Sequence, residues 1–191
     1  MLSSATDQNF VTDAATGLIA PARQCPSPNH DERPSGTVPE LIVVHGISLP
    51  PGEFGQGFVQ QFFRNRLPTN AHAYFAEIEG MTVSSHLFIE RDGALTQFVP
   101  CSKRAWHAGV SEWQGRDRCN DFSIGIELEG DDDTPYDNRQ YHCLNAVIAS
   151  LREAYPQLAN SPVVGHADIA PGRKTDPGPA FDWTRVDARQ R

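Results

Sequence analysis

The run ELIVVH at residues 40–45 constrains the fold more than any other stretch. Its apolar residues, Leu41 through Val44, leave no polar face, so the segment reads as a short strand covered on both sides. It ends on His45 and passes at once into GISLPPGEFGQG, a loop marked by Pro50, Pro51 and Gly52. Ligands of α/β sheets gather at the carboxyl ends of strands. A histidine held there by a rigid strand is well placed as a metal ligand.

The other segments fit one α/β domain: a mixed central sheet flanked by helices. SSHLFIERDGALTQFVP (84–100) reads as a hairpin turning at Asp92-Gly93. FVQQFFRNRL (58–67) fits a short helix with Phe58, Phe62 and Phe63 on one side. FSIGIELEG (122–130) alternates, with Ile124, Ile126 and Leu128 facing one way and Ser123, Gly125, Glu127 and Glu129 the other. A longer helix is expected from Asp137 as N-cap, with Gln140 as capping-box partner. Its buried stripe is Tyr141, Leu144, Val147, Ile148, Leu151 and Tyr155, and it stops before Pro156. Residues 1–39 show no period and read as an irregular arm.

The balance of charge narrows the partners. A formal net charge of −8 over 191 residues speaks against nucleic acid and anionic membranes. The N-terminal stretch has no Lys or Arg before Arg23 and no long apolar run, which predicts neither a secretory signal nor a membrane span. The four cysteines, Cys25, Cys101, Cys119 and Cys143, form no CxxC pair. Free thiols and a cytoplasmic setting are the expectation, with no obligate protein partner.

GHADIAPGRKTDPGPAFDW (165–183) holds three Gly and three Pro, so it is mostly loop, yet it also carries His166, Asp168, Arg173, Lys174, Asp176 and Asp182. His45 with His166 and a carboxylate from this loop makes a His₂Asp set, which suits a zinc site with a fourth position open to water. Spacing leaves both Asp168 and Asp176 as the carboxylate. Glu127 and Glu129 share a strand face, normally a solvent-facing edge. Gly125 clears bulk beside Glu127 for a substrate, and Glu127 is the preferred general base. Lys174 is the group to face an oxyanion.

The stretches VVHGISLPPGEFG, SSHLFIERDGALTQFV, RAWHAGVS, CNDFSIGIELEG and GHADIAPGRKTDPGPAFDW, in that order, resemble the N-acetylmuramoyl-L-alanine amidases of the amidase_2 type. The resemblance runs from about residue 24 to the end. It implies an amidase_2, peptidoglycan-recognition-like fold over 24–191, with an unassigned arm over 1–23. It implies Zn²⁺ on His45, His166 and Asp176, which selects Asp176 over Asp168. It implies catalysis by Glu127 and Lys174, and substrate contact at Gly46, Tyr74, Trp106, His107 and Arg118. The implied reaction is hydrolysis of the bond between the lactyl group of muramic acid and L-alanine, on a 1,6-anhydro-muropeptide in peptidoglycan recycling. Gly46 stands where the family carries Asn, and Thr82 where some members carry Arg. A murein-binding module without activity and an exported amidase of polymeric murein are the alternative functions.

Overall fold

The computed structural model describes residues 9–187. Its centre is a six-stranded mixed sheet. In chain order the strands are β1 (Arg23–Gln24), β2 (Leu41–Ile47), β3 (Leu87–Ile89), β4 (Leu95–Gln97), β5 (Ser123–Glu129) and β6 (Val163–Gly165). Across the sheet they lie in the order β6-β2-β5-β3-β4-β1. The inner pairs β6·β2, β2·β5 and β5·β3 are parallel, and β3·β4 is the antiparallel hairpin. Helices α1 (Phe58–Phe62), α2 (Ala73–Glu77), α3 (Asn138–Ala154) and α4 (His166–Ile169) complete the domain. Among the described residues no helix is long and apolar enough to cross a membrane.

One sheet face is a continuous apolar core. Ile42 and Val44 of β2 and Ile124, Ile126 and Leu128 of β5 meet Leu144, Val147, Ile148 and Leu151 of α3, all buried. Each such side chain contributes about 1.5–3 kcal/mol. The Asp137 cap and the Gln140 capping box are both formed, and the stripe from Tyr141 to Tyr155 is buried as the spacing predicts.

The opposite face is divided. Leu41, Val43 and Val164 pack with Ala108, Cys119, Phe122 and Ile169. Phe88 packs with Leu49, Val59, Phe62, Phe63, Phe75 and Phe98. Between them lies a polar seam. In register, Phe88 stands level with Glu127 and Glu127 level with His45. Since β5 is an inner strand, its Glu-bearing face is buried rather than a solvent-facing edge.

Two expectations need correction. The helix expected over 58–67 ends at Phe62, and Asn65 turns into the left-handed region at φ 56°. There Asn65 exchanges hydrogen bonds with Asn29 at 2.8 and 2.9 Å, contacts invisible to helical spacing. The arm is not irregular throughout. Val11–Thr12 pairs with Ile19–Ala20, His30–Asp31 pairs with Arg104–Ala105, and β1 adds an edge to the central sheet. Phe10 and Ile19 enter the α3 core. Gln97 ties the arm down, accepting from Ile19 N–H at 2.9 Å and donating to the Gly17 carbonyl at 2.8 Å. Residues 1–8, the start of the arm, lie outside the described residues.

Under the seam, His86 is wholly buried. Gly125 N–H donates to its Nδ1 at 3.0 Å, so the neutral ring carries its proton on Nε2, 3.1 Å from the Lys103 carbonyl. Burial first, then the Arg33 charge, holds His86 well below ordinary imidazole basicity. The unfolded chain thus takes up a proton near pH 6.5 that the folded one refuses. The stability from neutral His86 is complete above that pH and is lost as pH falls below it. Denaturant titrations of metal-free protein between pH 7 and pH 5 should show His86→Gln losing stability less steeply than wild type, by up to about 1.4 kcal/mol per pH unit. Equal slopes would remove His86 from this effect.

Candidate active site

The site is assembled at the carboxyl ends of parallel strands. Residue His45 lies within β2, and Glu127 is its register partner on β5. Gly165 of β6 pairs with Val44, so His166, the first residue of α4, follows on the same edge. The loop after α4 returns Asp176, whose carbonyl accepts from Ala167 N–H at 3.0 Å.

Three ligand atoms converge. His45 Nδ1 lies 2.9 Å from His166 Nδ1, and Asp176 Oδ2 lies 3.1 Å from each. Atoms bound tetrahedrally about 2.0 Å from one zinc ion would stand about 3.3 Å apart. The near match and the donor chemistry fit a divalent cation. Both histidines are buried. Burial above all drives His45 down to about 4, so its imidazole is neutral at pH 7, as a metal ligand must be. Burial tends to raise Asp176, but the two imidazole rings beside it outweigh burial and hold its carboxyl well below the usual range. A neutral His45 and an anionic Asp176 therefore meet beside His166. Asp168 is turned elsewhere: its Oδ2 accepts from Gly165 N–H at 2.8 Å at the start of α4.

The two glutamates of β5 separate cleanly. Glu129 accepts from Gly55 N–H at 2.6 Å and Arg91 N–H at 3.2 Å, so it ties two loops. Glu127 is buried and its Oε2 has no partner among the described residues. Burial first, then the Asp176 charge, pushes its carboxyl well above the ordinary value, while Lys174 opposes the shift. Lys174 is exposed, and its positive charge acts on both His45 and Glu127. A carboxyl with displaced basicity beside a cation-ready triangle and a lysine is suited to moving protons at neutral pH.

The residues implicated in substrate contact are distributed unequally. His107 is buried, with Nδ1 2.9 Å from His45 Nε2 and Nε2 3.1 Å from Ser123 Oγ. Both ring nitrogens are engaged within the protein. The space beside Gly125, expected for substrate, is filled by this ring: a Cβ at 125 would stand 2.5 Å from His107 Cγ. Gly46 faces Tyr136, whose hydroxyl would be 2.3 Å from a Cβ there and which donates to the Pro177 carbonyl at 2.9 Å. Trp106 is half-buried, and its indole N–H is buried without a partner among the described residues. Tyr74 packs partly buried on the Phe88 cluster, and its N–H donates to His72 Nδ1 at 3.1 Å. Arg118 is exposed at φ 61°, with its guanidinium 3.3 Å from Asp121. Thr82 is exposed.

The supporting contacts of two further residues are not legible from sequence spacing. Asn120 Oδ1 accepts from His107 N–H at 3.1 Å and Ala108 N–H at 2.8 Å. Arg173 donates to the Ala108 and Val110 carbonyls at 2.7 Å. The small residues Ser123 and Gly125 on the Glu127 face were the available signal that another group must fill that space.

Comparison with known proteins gives a consistent result. The family model for N-acetylmuramoyl-L-alanine amidase, Amidase_2, matches residues 35–179. The 1,6-anhydro-N-acetylmuramyl-L-alanine amidase AmpD of Enterobacter cloacae is 56% identical over 172 residues, covering 90% of this chain and 91% of that protein. The crystal structure of a selenomethionine derivative of AmpD superposes with a TM-score of 0.88 at 55% identity, over 92% of this chain and 96% of the other. AmpDh3 of Pseudomonas aeruginosa, solved in complex with anhydromuramic pentapeptide, gives a TM-score of 0.57 at 30% identity, over 79% of this chain and 59% of that one.

A buried carboxyl without a partner costs stability when it must ionise. The contribution of Glu127 is intact below its unfolded value of 4.5 and is lost as pH rises above it. Glu127→Gln should therefore raise the melting temperature of metal-free protein at pH 8, by about 2–4 °C per kcal/mol regained. The gain should shrink toward pH 4.5, where the wild-type carboxyl is neutral in both states. A variant melting below wild type at pH 8 would show that Glu127 is already compensated.

Proposed function

The chain belongs to the N-acetylmuramoyl-L-alanine amidase family, Amidase_2, and we propose that it cleaves 1,6-anhydro-muropeptides between the lactyl group and L-alanine with zinc held by His45, His166 and Asp176. The observation that carries the zinc reading is the triangle of two imidazole nitrogens and one carboxylate oxygen beside the unpartnered Glu127. The substrate reading is supported by the 56% identity to a protein named for that activity. The amidase domain in this proposal spans residues 24–191, with residues 1–23 as an arm.

Bound zinc supplies a Lewis acid for the amide carbonyl and lowers the pKa of water toward about 7. Glu127 accepts the proton of the attacking water as the new C–O bond forms. It then hands that proton to the alanine nitrogen as the C–N bond breaks, leaving a free amine and a lactyl carboxylic acid, which gives up its own proton at neutral pH. Burial leaves this carboxyl little contact with bulk solvent, which favours passing the proton to substrate. Lys174 provides positive charge for the oxygen that becomes negative in the tetrahedral state. Trp106, Tyr74, Arg118 and the chain at Gly46 are proposed to line the substrate path, with Arg118 offering a planar fork for a peptide carboxylate. His107 belongs to the same proposed lining, with both of its ring nitrogens engaged within the protein.

We place the reaction in cytoplasmic recycling of peptidoglycan. The four free cysteines support that setting.

The decisive experiment is digestion of soluble anhydro-muropeptide with product detection by mass spectrometry. Activity should vanish with chelator and return with zinc. Glu127→Gln should keep zinc and lose about 10²–10⁴-fold in turnover, and Lys174→Met about 10²–10³-fold. Asp176→Ala should lose zinc on dialysis. Preferential release from intact sacculi would favour an exported murein amidase, and zinc binding without product would favour a binding module.

A further inference from the structure

His45 lies on β2 and His166 at the start of α4, yet their outward-facing nitrogens end on one dipeptide. His45 Nε2 meets His107 Nδ1 at 2.9 Å, and His166 Nε2 meets the Ala108 carbonyl at 3.1 Å. We propose that His107–Ala108 is the common outer support of the metal site, with His107 a positioning residue that fixes which nitrogen His45 offers to the metal.

The direction of each hydrogen bond follows from groups that can act in one way only. The Cys119 carbonyl can only accept, so Ser123 Oγ–H donates to it at 2.6 Å. Ser123 Oγ then accepts the bond from His107, and the proton of that ring sits on Nε2. His107 Nδ1 is therefore bare and takes the proton of His45 Nε2. His45 is left with a bare Nδ1, the atom that meets His166 and Asp176. His166 Nε2 lies 3.1 Å from the Ala108 carbonyl, which can only accept, and 3.3 Å from Arg173 Nη2, which can only donate; with Nδ1 given to the metal, the proton sits on Nε2 and goes to Ala108. Outer hydrogen bonds of this type set ligand tautomer and orientation.

The dipeptide is itself fixed. Asn120 holds both of its N–H groups through one oxygen. Arg173 Nη2 also donates to the Ala108 carbonyl, at 2.7 Å, and lies 3.3 Å from His166 Nε2. Gly125 gives the His107 ring its place, since any Cβ there would overlap the ring. The ring is thus locked by shape as well as by its two hydrogen bonds.

This inference rests on the zinc reading above, and the test separates the two. Zinc affinity is measured by competition with a chelating dye on wild type, His107→Ala and His107→Asn, with thermal melts of the metal-free proteins alongside. His107→Ala should weaken zinc binding about 10–100-fold. His107→Asn, whose side-chain oxygen lies near the Nδ1 position and can accept from His45, should recover most of that loss. Ser123→Ala, which removes only the end of the chain, should give a smaller loss. In zinc-loaded wild type, imidazole ¹⁵N–¹H correlation spectra should show His107 protonated on Nε2 and His45 protonated on Nε2. Wild type that takes up no zinc overturns the zinc reading and this one together. Wild type that binds zinc while folded His107→Ala binds it equally overturns this inference alone. A His107 ring protonated on Nδ1 in wild type overturns it whether or not the variants fold.

Discussion

The parallel register of β2 against β5 is the constraint on which the site depends. It sets Glu127 level with His45, on the same sheet face. A slip of one residue would turn every side chain of β5 to the other face, placing Glu127 among α3 side chains and Ile126 at the site. The register is secured by the apolar row on the other face, where Ile124, Ile126 and Leu128 are fully buried against α3. The catalytic geometry is thus held in place by hydrophobic packing on the far side of the same strands.

The divided face explains why charged groups survive at such depth. Neither apolar cluster crosses the seam, so the polar groups there face one another. His45, His166 and Asp176 share one point, and His107, Ser123 and Asn120 fill the layer beneath. Nearly every buried polar atom in this layer has a partner, which low-dielectric surroundings demand. Among the described residues Glu127 Oε2 has none, and neither has the indole N–H of Trp106, the residue before His107. An uncompensated carboxyl at such depth is a candidate for chemistry.

Legibility from sequence followed the range of the interactions. The apolar run 41–44, the alternation of 123–129 and the capped stripe of α3 are local patterns, and each produced the expected element. The metal set was legible as residue types, but spacing left Asp168 and Asp176 open. The resemblance selected Asp176, and the structure brings that residue to both histidines while Asp168 caps α4. What stayed hidden is long-range. Apart from the local pair Val11–Thr12 with Ile19–Ala20, the arm's strands form on partners at Thr96–Gln97 and Arg104–Ala105, far along the chain. The α1 helix stops early because Asn65 meets Asn29. The small residue at 125 was legible, but not what occupies the room it leaves.

Arg173 gives the loop after α4 a second kind of membership. Its guanidinium bridges to the carbonyls of Ala108 and Val110, while its own backbone N–H donates to Ala170 at 3.1 Å in the segment that continues to Asp176. The loop carrying a ligand and the loop supporting the ligands therefore form a closed mechanical circuit. Moving either loop away from the site would break the Arg173 hydrogen bonds that tie it to the other.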